Sequence, residues 1–432
     1  MNRACTAPGL SQTSQPLPSS DSNADTSYVR PLTRWADGAC GLLAKIALRR
    51  NWSLIGGLIA IALSLICRGS TNLDFHQISK RIDARCLEWQ CQHPLSPVSD
   101  FLSPLETYQA GDEHDRASHL YKIGFRLTIP LLSRALHLGF WGWIILPFVA
   151  GLIFYPLCCK VVFNLTGDRV FALLFAWAFA VTEAGHLFFG DFWLLYGDGV
   201  GLLLVLICMA SRSPAIIFTA AILASFCDER GLLALLPVYL FYSCKAGALR
   251  EWRFSCLLRP NAQMWAIGAA LLGYLILRLA LRAVFHLEID DSGLMQKATI
   301  LSNLQEKFPG AIFVTFKFLW LLPILGAVGA VSSGCRAWVL WATLSVAPLF
   351  LASMMVFDVT RSLSYTFPVL LIGAKLMSSE DKVSNRRVML FVFVFSVAWW
   401  DLYRSSYQWR TLFSAKDLHS PAIGLLFESA LR

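Results

Sequence analysis

The sequence predicts an all-α protein, a polytopic transmembrane bundle of about eleven spans, and three observations predict it. Of the 432 residues, 56% are hydrophobic and 15% charged, with a mean hydropathy of +0.55. A soluble globular domain is about 45–50% apolar and about 25% charged. The apolar residues are also gathered into stretches near the roughly 20 residues that a helix needs to cross a bilayer. Finally, the Lys and Arg surplus behind the net charge of +9 lies mainly in the N-terminal segment and in short connections between those stretches, as the positive-inside rule describes. A soluble enzyme, a disordered regulator, a fibrous protein and a nucleic-acid module are excluded.

Residues 1–35, rich in Ser, Pro, Thr and Asn without periodicity, read as a disordered cytoplasmic tail. They are not a secretory signal, because the first apolar run comes late and no small-residue cleavage site precedes a soluble domain. Residues 36–50, ending in Arg49-Arg50, read as an amphipathic approach to the bilayer. The transmembrane domain then covers 36–403, with apolar stretches at 52–68, 139–159, 169–189, 193–210, 214–227, 230–244, 263–285, 309–331, 337–357, 362–377 and 387–403. The two shortest, 214–227 and 230–244, flank the polar tetrad Cys227-Asp228-Glu229-Arg230. They are expected to tilt or to be partly re-entrant, meeting where the bilayer is thinned or wet. Residues 404–432 form a C-terminal tail.

Orientation follows from the short basic segments. Residues 1–51 carry six basic and three acidic residues, the 245–259 connection has Lys245, Arg250, Arg253 and Arg259 against Glu251, and the 378–387 connection has Lys382, Arg386 and Arg387. These alternate correctly to be cytoplasmic, which places the N-terminus inside and the C-terminal tail outside. The long 69–126 loop, with eight acids against six bases, is then extracytoplasmic. The twelve Cys show no C-x-x-C framework, and most lie in apolar segments where a thiol behaves as a small hydrophobe. Cys86 and Cys91, in the polar loop, form either a disulfide or two free thiols. No repeat of 20–50 residues and no inverted-half symmetry is visible.

Ionisable groups in or beside spans are costly and mark candidate sites, and this chain places nearly all of them toward the outer face. Asp74 and His76, two residues apart after the first span, have the chemistry of a base and its partner. Against that stands a solvated loop start. His186, Asp191 and Asp198 form a second group, in which the two acids share a face if one helix runs through them; Asp191 is equally suited to cap a helix. Asp228-Glu229-Arg230 is a third, whose guanidinium offers a fork for phosphate or carboxylate, an ordinary charged turn being the alternative. Arg278 and Arg282, four apart at the outer end of a span, suit a phosphate-bearing head group or snorkel to ordinary lipid. Lys317 lies deeper, with Asp198 or Asp358 as the expected partner, and Asp358 and Arg361 are spaced to pair on one helix face. No Gly-rich phosphate loop, zinc spacing or Gly-x-Ser-x-Gly elbow occurs.

This layout of a short inner tail, a first span and a long outer loop opening on Asp74 resembles the GT-C glycosyltransferase superfamily. His119-Leu-Tyr121-Lys-Ile-Gly-Phe-Arg126-Leu-Thr-Ile-Pro130, the Asp228-Glu229-Arg230-Gly-Leu-Leu-Ala-Leu-Leu-Pro237 segment and Asp358-Val-Thr-Arg361 resemble short segments of bacterial GT-C-like membrane proteins. The likeness covers roughly 52–400 and departs from the family in following Asp74 with Phe75-His76 where a second acid is expected. It implies a GT-C-like fold in the bacterial inner membrane. It also implies transfer of a sugar from a polyprenyl-phosphate donor to an envelope glycan or lipid acceptor on the extracytoplasmic face, among membrane lipids and without nucleic acid. Asp74, with His76 and Asp228, would be the catalytic group. Asp191, Glu229, Arg230, Arg278, Arg282, Asp358 and Arg361 would bind substrate, with Arg361 on the lipid phosphate. Some members require a divalent metal, for which Asp191 and Glu229 would be the ligands. The competing expectations are a transporter or flippase, with working charges spread through the membrane depth, and a non-catalytic membrane protein.

Overall fold

In the computed structural model the described residues are 26–69, 126–138, 142–189, 197–245, 260–285, 308–355, 359–377 and 381–399. Among them every regular element is helical. An amphipathic helix α1 (Thr26–Ala47) precedes α2 (Trp52–Gly69), and a short helix α3 (Thr128–Ala135) precedes α4 (Gly142–Thr166). Then come α5 (Arg169–Ala180), the single turn α6 (Glu183–His186), α7 (Asp198–Ala210), α8 (Pro214–Cys227), α9 (Glu229–Lys245) and α10 (Ala262–Phe285). A broken helix follows, consisting of α11 (Phe308–Phe316), a 3-10 turn Lys317–Trp320 and α12 (Leu321–Ser332). The last elements are α13 (Arg336–Met354), α14 (Val359–Ser364), α15 (Pro368–Met377) and α16 (Lys382–Ala398).

Every expected apolar stretch contains helix among its described residues, but 169–189, 309–331 and 362–377 are each divided between two helices, and the eleven-span count does not follow from helix length. Four helical segments, Ile144–Thr166, Ala262–Val284, Gly310–Ser332 and Arg336–Met354, are long and apolar enough to cross a membrane, or five if the bent pair α1–α2 counts as one. This makes the chain an integral membrane protein by length and composition. The other apolar helices, α5, α7, α8 and α15 among them, have 10–17 residues. Their shortness has local causes. Asp168 caps α5 by accepting from the Val170 and Phe171 amides, Thr182 caps α6, and Pro214 opens α8 where its missing N–H costs nothing. Gly197 adopts φ +63, a left-handed conformation that starts α7 at Asp198. The condition for Asp191 and Asp198 to share a face, one helix running through both, is not met at Gly197, and residues 190–196 lie outside the described residues. The tail expected to be disordered as far as 35 is helical from Thr26, because the buried Ala36, Cys40 and Ala47 give α1 a face to pack.

Short helices are tolerated here because protein surrounds them: α5 is buried from Val170 to Ala180. Around it, Phe154, Tyr155, Phe179, Phe188 and Phe367 form an aromatic core with centroids 4.6–6.3 Å apart, and Trp177 donates to the Gly56 carbonyl at 2.9 Å. By contrast α10 exposes Leu272, Leu275, Ile276 and Leu279, an apolar face suited to lipid.

Close backbone contact is concentrated where α12 meets α15. A Cβ on Gly373 would sit 2.5 Å from Pro323 N and 2.7 Å from Leu322 C. Gly373→Ala is therefore expected to force the two helices apart and to cost about 1–3 kcal/mol. The check is the thermal unfolding midpoint in detergent. Gly268→Ala, with nothing within 4 Å of the new methyl, should leave it unchanged, and equal midpoints for the two variants would refute tight packing at Gly373.

The helices alternate in direction. Helices α7 and α9 run from Asp198 and Glu229 toward one end, while α8 and α10 return from it. At that end Tyr242 donates to the carbonyls of Cys208 (2.5 Å) and Ser211 (2.7 Å). The same end carries Arg34, Lys45, Arg49, Arg50, Arg212, Lys382, Arg386 and Arg387, with Asp37, Asp168 and Asp381 as acids.

Candidate functional site

The opposite end holds a buried ionic cluster built from four separate stretches of chain. Its centre is the bend between α8 and α9. Asp228 ends α8 in an extended conformation (φ −162, ψ 144), and its Oδ1 accepts from the Arg230 backbone N–H at 3.0 Å. The same carboxylate takes Arg230 Nε and one terminal nitrogen, both at 2.5 Å, in a two-pronged pair. The remaining terminal nitrogen of Arg230 donates to Ser362 Oγ at 2.8 Å, which ties the bend to α14.

Two further arginines converge on this pair. Arg126 reaches Asp228 Oδ2 at 2.8 Å from the segment leading into α3. Thr128, two residues on, anchors that segment by donating to the Leu223 carbonyl of α8 at 2.6 Å. Arg361, on α14, holds Asp198 Oδ2 through Nε at 2.9 Å, and its terminal nitrogen lies 4.0 Å from Asp228. Asp198, the first residue of α7, also accepts from the Tyr365 hydroxyl at 3.1 Å and lies 3.8 Å from Arg230. Arg230 in turn sits over the Tyr365 ring, 5.8 Å from its centroid. Gly201, one turn on from Asp198, admits that tyrosine, since a Cβ there would lie 2.5 Å from its hydroxyl.

The side chains of Asp198 and Asp228 are 2% and 1% exposed, and those of Arg126, Arg230 and Arg361 are 13%, 10% and 9% exposed. Two carboxylates therefore share an apolar interior with three guanidiniums. Burial raises the strength of each contact and the cost of losing any one of them. Beside this core, Arg278 bonds Glu229 at 3.1 Å and the Tyr274 hydroxyl at 2.5 Å. The side chains of that pair are 22% and 35% exposed, so it forms a wetter rim.

Of the residues singled out by sequence, Asp198, Asp228, Glu229, Arg230, Arg278 and Arg361 meet here. Arg282 lies one turn beyond Arg278 on α10, exposed. Asp74, His76, Asp191 and Asp358 lie outside the described residues, as do Cys86 and Cys91. Three members escaped the sequence reading as site residues: Arg126, Tyr365 and Ser362. Arg126 and Tyr365 stood in noted segments, but nothing local says which acid an arginine 102 positions away will meet. Of the two expected partners of Lys317, Asp358 lies outside the described residues and Asp198 is not its partner. Its ammonium donates to the carbonyls of Val181 (2.7 Å) and Ser396 (3.5 Å), at the C-terminal ends of α5 and α16, while Asp198 is engaged by Arg361 and Tyr365. Lys317 has φ +49 at the break after α11, a strained position for a lysine. Its charge satisfies helix-end carbonyls and their dipoles, which is structural work.

The described residues do not form a divalent-metal site. No three His, Cys, Asp or Glu side chains come together among them, and Glu229, the described member of the expected ligand pair, holds Arg278. No protein-family model matches the chain. No curated protein and no solved structure matches it either.

Proposed function

We propose that this is a membrane-embedded, GT-C-like glycosyltransferase that takes a sugar from a polyprenyl-phosphate donor and passes it to an envelope glycan or lipid on the extracytoplasmic face. The observation that carries this reading is the convergence of Arg126, Arg230 and Arg361 on one buried spot at one end of an apolar bundle. A guanidinium fork matches the geometry of a lipid-linked phosphate. The basic residues at the far end favour a cytoplasmic assignment for that end, hence an outer position for the cluster. On this reading the chain threads eleven spans, its short helices completing the crossing inside protein.

The chemistry asked of the cluster is electrostatic. The acceptor hydroxyl loses its proton to Asp74, supported by His76, and its oxygen attacks the anomeric carbon. The bond from that carbon to the phosphate oxygen breaks, and the lipid phosphate leaves with the electron pair. Arg361, held to Asp198 by Nε, and Arg126 stabilise the charge on the departing phosphate. Arg230 is fully engaged by Asp228 and Ser362 and sets the frame around them. Glu229 and Arg278 form a rim beside the cluster, and Arg282, Asp191 and Asp358 are the further residues proposed to bind substrate. A transporter would need working charges along the membrane depth, and Lys317, the deepest of them, is occupied with helix ends.

The test is mass spectrometry of envelope glycans and glycolipids from a deletion strain complemented with wild type or Asp74→Asn. The expected result is a glycan lacking one sugar in the deletion, restored by wild type and not by Asp74→Asn. Equal rescue would remove Asp74 from the mechanism, and an unchanged glycan profile in the deletion would refute the transferase reading.

A further inference from the structure

We propose that the basic end of the bundle is a docking surface for anionic phospholipid, with α1 lying in the membrane surface as its platform. The chain turns by 119° between α1 and α2, and two contacts hold α1 across the end of the bundle. Arg387 of α16 forms a two-pronged pair with Asp37, both bonds at 2.8 Å. Arg169, at the start of α5, donates to the Ala47 carbonyl at 2.9 Å.

Laid there, α1 presents three faces. Ala36, Cys40 and Ala47 repeat at spacings of four and seven, so they share the side packed on the bundle, and all three are buried. Trp35 and Leu42, two turns apart, project together on a neighbouring side with Leu32, and all are about half exposed or more: 51%, 64% and 52%. Arg34 and Lys45, eleven residues or three turns apart, share a third side and are exposed. An apolar flank beside a basic flank on a helix turned away from the span is the arrangement of an interfacial helix, with its apolar side among acyl chains. The basic flank specifies what the helix rests on. Arg34, Lys45, Arg49, Arg50 and Lys382 are exposed and make no ion pair with a carboxylate among the described residues, whereas Asp37 and Asp168 at this end are already taken by Arg387 and Arg386. A surface with this excess of cations, adjoining exposed apolar side chains, complements an anionic headgroup and its chains together. The inference does not depend on what the Arg–Asp cluster binds, so failure of the transferase reading leaves it standing.

The test uses the full-length protein purified in nonionic detergent and titrated with palmitoyl-oleoyl phosphatidylglycerol or with phosphatidylcholine carrying the same chains. Native mass spectrometry counts retained lipid, and hydrogen exchange follows amides 31–47. Phosphatidylglycerol is expected to be retained and to slow exchange in that segment, and phosphatidylcholine is not. Neutralising both cations in Arg34→Gln/Lys45→Gln should weaken phosphatidylglycerol retention about twenty-five-fold, while Arg34→Lys/Lys45→Arg should keep most of it. About 1 M salt should abolish the protection of the wild type by screening, an arm that stands even if the neutralised variant fails to fold. Equal effects of the two lipids, wild-type retention by a folded neutralised variant, or protection indifferent to salt would each overturn the proposal.

Discussion

Asp228→Ala is expected to destabilise the protein by about 3–5 kcal/mol, more than any other single substitution in the ionic cluster. Asp228 is the counter-charge that Arg126 and Arg230 share, at 2.8 and 2.5 Å. With it gone, three buried guanidiniums face Asp198 alone. The carboxylate also caps the start of α9 through the Arg230 amide, so the bend between α8 and α9 loses its backbone anchor in the same step. Glu229→Gln is the matched control. Its pair with Arg278 is partly exposed, and water replaces much of what is lost, so a cost within about 1 kcal/mol is expected. Unfolding of the two purified variants by dodecyl sulfate titration separates these outcomes. Similar midpoints would mean that the cluster is hydrated and does not hold the helices together.

On the proposed transferase reading, Arg361→Lys is expected to keep the fold and to lower sugar transfer about 10²–10³-fold, the usual cost of removing one donor to a developing oxyanion. The lysine retains the charge opposite Asp198, so burial stays compensated. It lacks the planar fork, so one ammonium must choose between Asp198 and the phosphate. The measurement is the amount of the missing-sugar glycan restored in the deletion strain, alongside the thermal midpoint of the purified variant. Full rescue by a folded Arg361→Lys would show that Arg361 serves only as the partner of Asp198.

Hydropathy is a sum over neighbours in the chain, and for that reason the helices were legible. Every expected apolar stretch has its helix, and the polar tetrad Cys227–Arg230 stands at a helix–helix bend, as its flanking short runs suggested. What misled was continuity. The helix end at Val181 and the turn at Lys317 divide stretches that hydropathy draws unbroken, because a capping threonine or a left-handed residue changes the backbone without changing the average. The same limitation hid the route of Lys317, whose partners are carbonyls and therefore carry no residue identity to recognise.

The site was legible as an inventory of charges and not as an arrangement. The residue types, the bend at Asp228 and the Lys and Arg surplus in short connections are local facts, and the chain states them. Pairing is different. Tyr365 meets Asp198 across 167 positions, and Arg230 meets Ser362 across 132. Lys317 donates to the carbonyls at two helix ends, 136 and 79 positions away. Sequence alone determined that this is an apolar, helical, asymmetrically charged membrane chain, because burial in lipid selects composition and periodicity residue by residue. Only the tertiary structure decided which charges neutralise one another. The cost of an unpaired charge in an apolar interior is met by whichever partner the helix packing brings within about 3 Å, and that choice is made by several helices at once.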